Sequence, residues 1–208
     1  TELFHYVEGF SSQPLPKGNR IAIITNAGGP GIMATDAAIR HGLKLATFSP
    51  KTTKVLKEHL PPTASLRNPV DVIGDATHER YEAAIRAVLL DDAVDGAIVI
   101  LTPQAMTDIL ETAQIVPHVA KDVKKPILSC FMGLVDVSEG VKYLQDHGIH
   151  NYVFPEAAAR TMAAMVQYAQ NIDPVTKRRR EVFRLLEDQE KAAKLIQEKL
   201  QDRDIYYM

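Results

Sequence analysis

The chain of 208 residues has one cysteine, no tryptophan and a net charge of only −2. A lone Cys130 excludes an internal disulfide framework and points to a reducing, cytoplasmic compartment. Near-neutral charge provides no broad field for nucleic acid or an anionic membrane. No apolar run reaches the roughly 20 residues of a membrane helix, and the opening Thr1–Phe10 lacks a signal-peptide pattern. An opening without Met is expected of an excised or processed piece, or of Met removal before Thr1. There is no His pair with an intervening Glu and no Cys/His cluster, so no metal site is expected.

What is present is a repeated strand–helix pattern. Residues 1–18 read as the end of a helix and a linker from a preceding domain, stiffened by Pro14 and Pro16. From residue 19 to 172, short apolar β-branched runs alternate with helical segments. Arg20–Thr25 and Asp95–Leu101 are the clearest strands; 43–48, 70–73, 126–132 and 152–154 complete the set. Strands separated by helices pair in parallel through right-handed crossovers. The expected fold is α/β, a flavodoxin-like doubly wound parallel sheet with helices on both faces. Residues 173–208 read as a helical extension toward a following domain, with Val182, Leu185, Leu186, Leu195, Ile196 and Leu200 forming a partial stripe.

Ligands of open parallel sheets collect at the carboxyl ends of the strands. The first strand ends there in Thr25-Asn26-Ala27-Gly28-Gly29-Pro30-Gly31, directly before a helix expected over 32–41. Unpaired amides and the helix dipole make such a turn an anion site, and a tight turn with glycines kept for packing is the alternative. No Walker A lysine follows. Gly29-x-Gly31-x-x-Ala34 fits a relaxed dinucleotide fingerprint, but Phe48-Ser49-Pro50-Lys51 stands where a ribose-binding acid belongs.

Three segments together carry a resemblance: Ile24–Gly42 (ITNAGGPGIMATDAAIRHG), Asn68-Pro69-Val70-Asp71, and the linker Pro14–Arg20. They resemble the second flavodoxin-like ligase-CoA domain in the alpha part of ADP-forming acyl-CoA synthetases. These are the acetate–CoA ligases of the succinyl-CoA synthetase-like superfamily. The family interconverts acyl-CoA, ADP and phosphate with acid, CoA and ATP through a phosphohistidine on a mobile loop. The resemblance implies that a helix N-terminus near Pro30 stabilises that phosphohistidine, with Asn26, Ala27, Gly28, Gly29 and Gly31 as contacts; Asn68 and Asp71 have two readings, bracing of the neighbouring loops or a place behind the site, and Thr102 is a candidate to line the site by its position after the strongest strand, an ordinary strand–helix turn being the alternative. Thr35 and Asp36 are expected to serve the helix itself.

The family's Ser-His-Thr-Gly-like segment is absent, so no catalytic residue is expected in this chain, which should be inactive alone. CoA, ADP or ATP, and Mg would be bound by other domains. The implied partners are CoA-binding, phosphohistidine-bearing and ATP-grasp domains of one enzyme, with homo- or hetero-oligomer formation left open. Two other readings stay open: a non-catalytic acyl-CoA-sensing module fused to a protein acetyltransferase, and a self-standing nucleotide-binding protein. Of the histidines, His41 and His147 are expected at helix C-termini, and His78 at an exposed helix start. Lys177–Arg180 reads as a solvated helix start.

Overall fold

A computed structural model describes residues 2–133 and 136–201, excepting the side chains of 173–187 and 199–201. The tail residues 202–208, the side chains of Val182, Leu185, Leu186 and Leu200, and those of the basic run Lys177–Arg180 lie outside that description. The chain divides into a first unit, Thr1–Ala169, and a second, Gln170–Met208.

The described residues form α1 (Glu2–Ser12), β1 (Arg20–Thr25), α2 (Gly28–Arg40), β2 (Lys44–Leu45), α3 (Pro50–His59), β3 (Val70–Asp71), α4 (His78–Leu89), β4 (Gly96–Leu101), α5 (Ile109–Ala120), β5 (Ile127–Phe131), α6 (Ser138–Asp146) and α7 (Pro155–Gln201). The strands make one parallel sheet in the order β2-β1-β4-β5, with β3 also on β1. The order reverses between β1 and β4, as in doubly wound folds. A parallel bridge from Ser129 to Asn151 extends the sheet beyond β5; it replaces the strand expected at 152–154.

The interior strands are apolar on both faces because helices cover both. Ala22, Ile24, Ala97, Val99, Leu101 and Phe131 point into a core shared with α3, α4, α5 and α6. Ile21, Ile23, Ile98, Ile100, Leu128 and Cys130 point the other way, against α2 and the start of α7. Burial of this kind contributes about 1.5–3 kcal/mol per large aliphatic side chain. Alanines at 34, 37, 38, 157, 158 and 159 keep α2 and α7 close to their face.

The free side of β1 is satisfied in an unusual way. β2 pairs only with Arg20 and Ile21, and β3 only with Ile24 and Thr25. Between them the Asn68 side chain takes the place of a strand. Its Oδ1 accepts from the Ile23 amide at 3.0 Å, and its Nδ2 donates to the carbonyls of Ile21 at 2.7 Å and Ala46 at 3.1 Å. The long second strand expected at 43–48 is therefore two residues, because the chain leaves β1 after the Ala46 amide has donated to the Ile21 carbonyl at 2.8 Å. Ser49 then caps α3, accepting from the Thr52 amide at 3.2 Å.

α1 belongs to the first unit. Gln13, just after it, donates to the Gly148 carbonyl at 2.6 Å and accepts from the Ile127 amide at 2.8 Å. Glu8 pairs with His150 at 2.7 Å. Gly9 lies so close to Thr161 that an added Cβ would sit 2.6 Å from its methyl.

Replacing Asn68 by alanine strands the Ile23 amide of β1 in the core, while the Ile21 carbonyl keeps the Ala46 amide at 2.8 Å. The Asn68→Ala variant should lose about 1–3 kcal/mol in urea unfolding, and Asn68→Asp should restore it only in part, since a carboxylate accepts from the Ile23 amide but cannot donate to the Ile21 and Ala46 carbonyls. A loss below about 0.5 kcal/mol would contradict the strand-substitute role.

Candidate functional site

The carboxyl edge of the sheet is built around the end of β1. Thr25 is buried, and its Oγ1 accepts from the Ala27 amide at 3.0 Å and donates to the Ala27 carbonyl at 2.9 Å. This local loop sets Ala27 extended, at φ −141° and ψ 120°, as the N-cap of α2. No side chain caps the helix. The helix opens at Gly28, about a turn before the expected start at residue 32 and two residues before Pro30, because the glycines continue directly into helical geometry.

The accounting of amides is then short. The Ala27 amide goes to Thr25, and the Gly31 amide to the Ala27 carbonyl at 3.2 Å. Pro30 has none to give. Gly28 and Gly29 keep exposed N–H groups with no partner among the described residues. Two free donors at the positive end of a helix dipole are the chemistry that an oxyanion site uses.

The five candidate contacts separate into distinct tasks. Asn26 is buried, and its side chain clasps the Thr102 backbone, donating to the carbonyl and accepting from the amide, both at 2.8 Å. Ala27 is engaged as cap. A Cβ on Gly31 would meet the Thr25 methyl at 3.0 Å, so this glycine permits close packing of the helix on β1. Gly28 and Gly29 face outward; a Cβ at 29 would meet nothing within 4 Å. Thr35 donates to the Gly31 carbonyl at 2.9 Å, a helix-internal role.

Behind the turn, Asp71 accepts from the Ile73 amide through Oδ1 at 2.9 Å. Its Oδ2 lies 3.9 Å from where a Gly28 Cβ would be, so a carboxylate stands near Gly28. Ile73 follows at φ 71°, a conformation that costs a β-branched residue energy. Asn68 serves the sheet. The Thr102 Oγ1 is buried without a hydrogen-bond partner among the described residues.

The crevice between β1 and β4, where doubly wound folds hold ligands, is closed by the Asn26–Thr102 clasp. From below, the fully buried Tyr81 donates to the Ile100 carbonyl at 2.8 Å. Burial raises the Tyr81 pKa well above its ordinary value. Sequence spacing carried no sign of Tyr81.

His78 opens α4, as expected, but is half-buried where an exposed position was expected, and is not solitary. Its Nδ1 lies 2.9 Å from Asp108 Oδ2, and its Nε2 3.3 Å from Glu79. The three ligand-bearing groups lie within 4.8 Å of one another. Both ring nitrogens face carboxylates, and two helix N-termini, those of α4 and α5, meet there. The arrangement is therefore a brace between α4 and α5, held by charge. Asp108, thirty residues away, could not have been chosen from sequence. Cys130 is buried in β5, and burial pushes its thiol up to about 12, far from thiolate reactivity. No helix among the described residues is long and apolar enough to cross a membrane.

The fold and this edge define a doubly wound α/β domain with an uncapped helix N-terminus at the carboxyl edge of its sheet and the β1 and β4 ends tied together by Asn26. The chain belongs to the Ligase-CoA domain family, whose model matches residues 21–175. It is 36% identical over 168 residues to the 4-hydroxybutyrate–CoA ligase (ADP-forming) of Nitrosopumilus maritimus, covering 81% of this chain and 24% of that protein. It is 39% identical over 165 residues to the alpha subunit of acetate–CoA ligase (ADP-forming) II of Pyrococcus furiosus, covering 77% of this chain and 36% of the subunit. A solved dinucleotide-forming acetyl-coenzyme A synthetase 1 of Candidatus Korarchaeum cryptofilum, in complex with phosphate and ADP, superposes with a TM-score of 0.78 at 30% identity. That match covers 85% of this chain and 38% of the other. The chain thus spans well under half the length of these relatives.

The pair with Asp108 raises the His78 pKa from its ordinary 6.5, and the Asp108 pKa falls below its ordinary 3.8. A raised histidine pKa stabilises the fold fully below 6.5, and the gain is lost as pH rises through the folded value. NMR titration should place His78 above 6.5 and show Asp108→Asn moving it downward. The variant's stability deficit should be larger at pH 6 than at pH 8, and a deficit larger at pH 8 would contradict the brace.

Proposed function

We propose that this chain is a domain of an ADP-forming acyl-CoA synthetase that receives the phosphohistidine of a neighbouring domain at the start of α2. The whole enzyme would convert acyl-CoA, ADP and phosphate to acid, CoA and ATP. The observation that carries this reading is the pair of open amides at Gly28 and Gly29, in a chain whose relatives are ADP-forming acid–CoA ligases.

A phosphoryl group carries two negative charges at neutral pH, and close amides at a helix N-terminus offset them without reorganisation. The glycines let the group approach the backbone directly. Asp71 opposes a free dianion at the same place, and favours an anion that arrives with its own N–H donor, as a phosphorylated imidazole does. The histidine itself comes from elsewhere, since none of this chain's histidines sits in a Ser-His-Thr-Gly-like segment. CoA, nucleotide and Mg would likewise be held by other domains, and the isolated chain should show no ligase turnover. The closed β1–β4 crevice counts against a self-standing dinucleotide-binding protein.

Gly28 offers a clean backbone test. It is the first helical residue, and Ala27 before it is already extended, the conformation that a following proline demands. Gly28→Pro removes one N–H and keeps the helix start; Gly28→Ala keeps the N–H. In amide NMR with inorganic phosphate, wild type and Gly28→Ala should show saturable shifts at Gly28 and Gly29 or at the substituted position. Gly28→Pro should bind about tenfold more weakly, the value of one hydrogen bond to a charged group. No shift at these amides in any variant would remove the anion-site reading.

A further inference from the structure

His78, Glu79 and Asp108 meet where α4 and α5 begin, on the carboxyl edge and on the face of the sheet opposite α2. Sequence spacing gives no metal motif there, because Asp108 joins the other two only through the fold.

The acids of this cluster lack the partners that neighbouring acids have. Asp75 is paired with Arg80, and Glu82 with Arg86. Among the described residues no arginine or lysine pairs with Glu79, Asp108 or Glu111, and the charges of all three act on the one His78 ring. A neutral imidazole has a single N–H to give, so one of the carboxylates at Nδ1 and Nε2 would face a ring lone pair. A proton on the ring sets one positive charge against three negative ones. The N-termini of α4 and α5 add about half a positive charge each, which still leaves the cluster acidic.

A divalent ion meets this balance, and the donor atoms suit one. Ligands side by side on an ion with bonds of about 2.0–2.2 Å lie about 3–3.5 Å apart. Asp108 Oδ2 is 2.9 Å from Nδ1, and Glu79 Oε1 is 3.3 Å from Nε2. One donor atom from each of the three residues lies within 4.8 Å of the others. An imidazole beside two carboxylates is a ligand set for borderline ions such as zinc, whereas magnesium and calcium prefer oxygen alone. His78 also lines a groove of about 440 Å³ with Glu82, Glu111, Gln114, His118 and His147, which gives an ion and its water ligands a way in.

We infer that His78, Glu79 and Asp108 form a binding site for a divalent transition ion of the zinc type, which ties the starts of α4 and α5 in place of the ring proton. Glu111, in the first turn of α5, adds charge to the site. The inference does not rest on the acyl-CoA reading.

Isothermal titration calorimetry of the metal-stripped 208-residue chain with zinc chloride tests it. Wild type should bind one ion saturably at micromolar zinc, and excess magnesium should not displace it. His78→Gln should abolish that binding. Glu79→Gln and Asp108→Asn should each weaken it at least about tenfold, since even a partner standing behind a ligand is worth that much. The Glu79 side chain is exposed, so Glu79→Gln keeps the test decisive if Asp108→Asn loosens the fold. His118→Gln and His147→Gln, from the same groove, should bind zinc as wild type does. No saturable binding, binding unchanged in His78→Gln or in Glu79→Gln, or binding lost in His118→Gln or His147→Gln would each overturn the inference.

Discussion

The central strand β1 must have every backbone group paired, and the way this is met sets the geometry of the rest. β4 covers one side for five residues. The other side is shared by β2, the Asn68 side chain and β3 in succession. An unpaired amide in that core would cost about 1–3 kcal/mol, so this relay is a requirement and not an ornament of the loop. It has a consequence for chemistry. By holding β3 only against the last two residues of β1, it brings Asp71 and its turn to the carboxyl edge, beside the first turn of α2. Gly31 then lets that helix settle on Thr25 and the Asn68–Pro69 turn.

The same edge explains what kind of ligand the domain suits. Doubly wound sheets hold nucleotides in the crevice where strand order reverses. Here that crevice is sealed by Asn26 and Tyr81, and the open amides at Gly28 and Gly29 lie outside it. On the proposed reading the site takes a group presented from without. That fits a module working on a group covalently attached to a neighbour, with affinity kept low by the flanking Asp71 carboxylate.

Much of this was legible in the sequence. β-branched runs between amphipathic segments gave the sheet class, the Gly-rich turn gave the helix start to within a few residues, and His41 and His147 marked helix ends because a glycine follows each. What was not legible depends on contacts between distant residues. Nothing local shows that two short strands divide one side of β1, or that Asn68 fills the gap between them. The division of labour among Asn26, Ala27 and the glycines is decided by hydrogen bonds to Thr25 and Thr102, and the latter is 76 residues away. Tyr81 and Asp108 carried no motif at all. Their roles come from where α4 and α5 land on the sheet.

The central claim is that backbone donors at Gly28 and Gly29 stabilise a phosphohistidine formed elsewhere in the enzyme. The direct measurement is rapid-quench quantification of acid-labile phosphoenzyme in the full-length enzyme containing this domain, comparing Gly28→Pro with Gly28→Ala. The account predicts that the proline variant forms and passes on the phosphoryl group about tenfold more slowly, as loss of one charge-assisted hydrogen bond demands, while the alanine variant stays near wild type. Equal phosphoenzyme kinetics in all three proteins would contradict it.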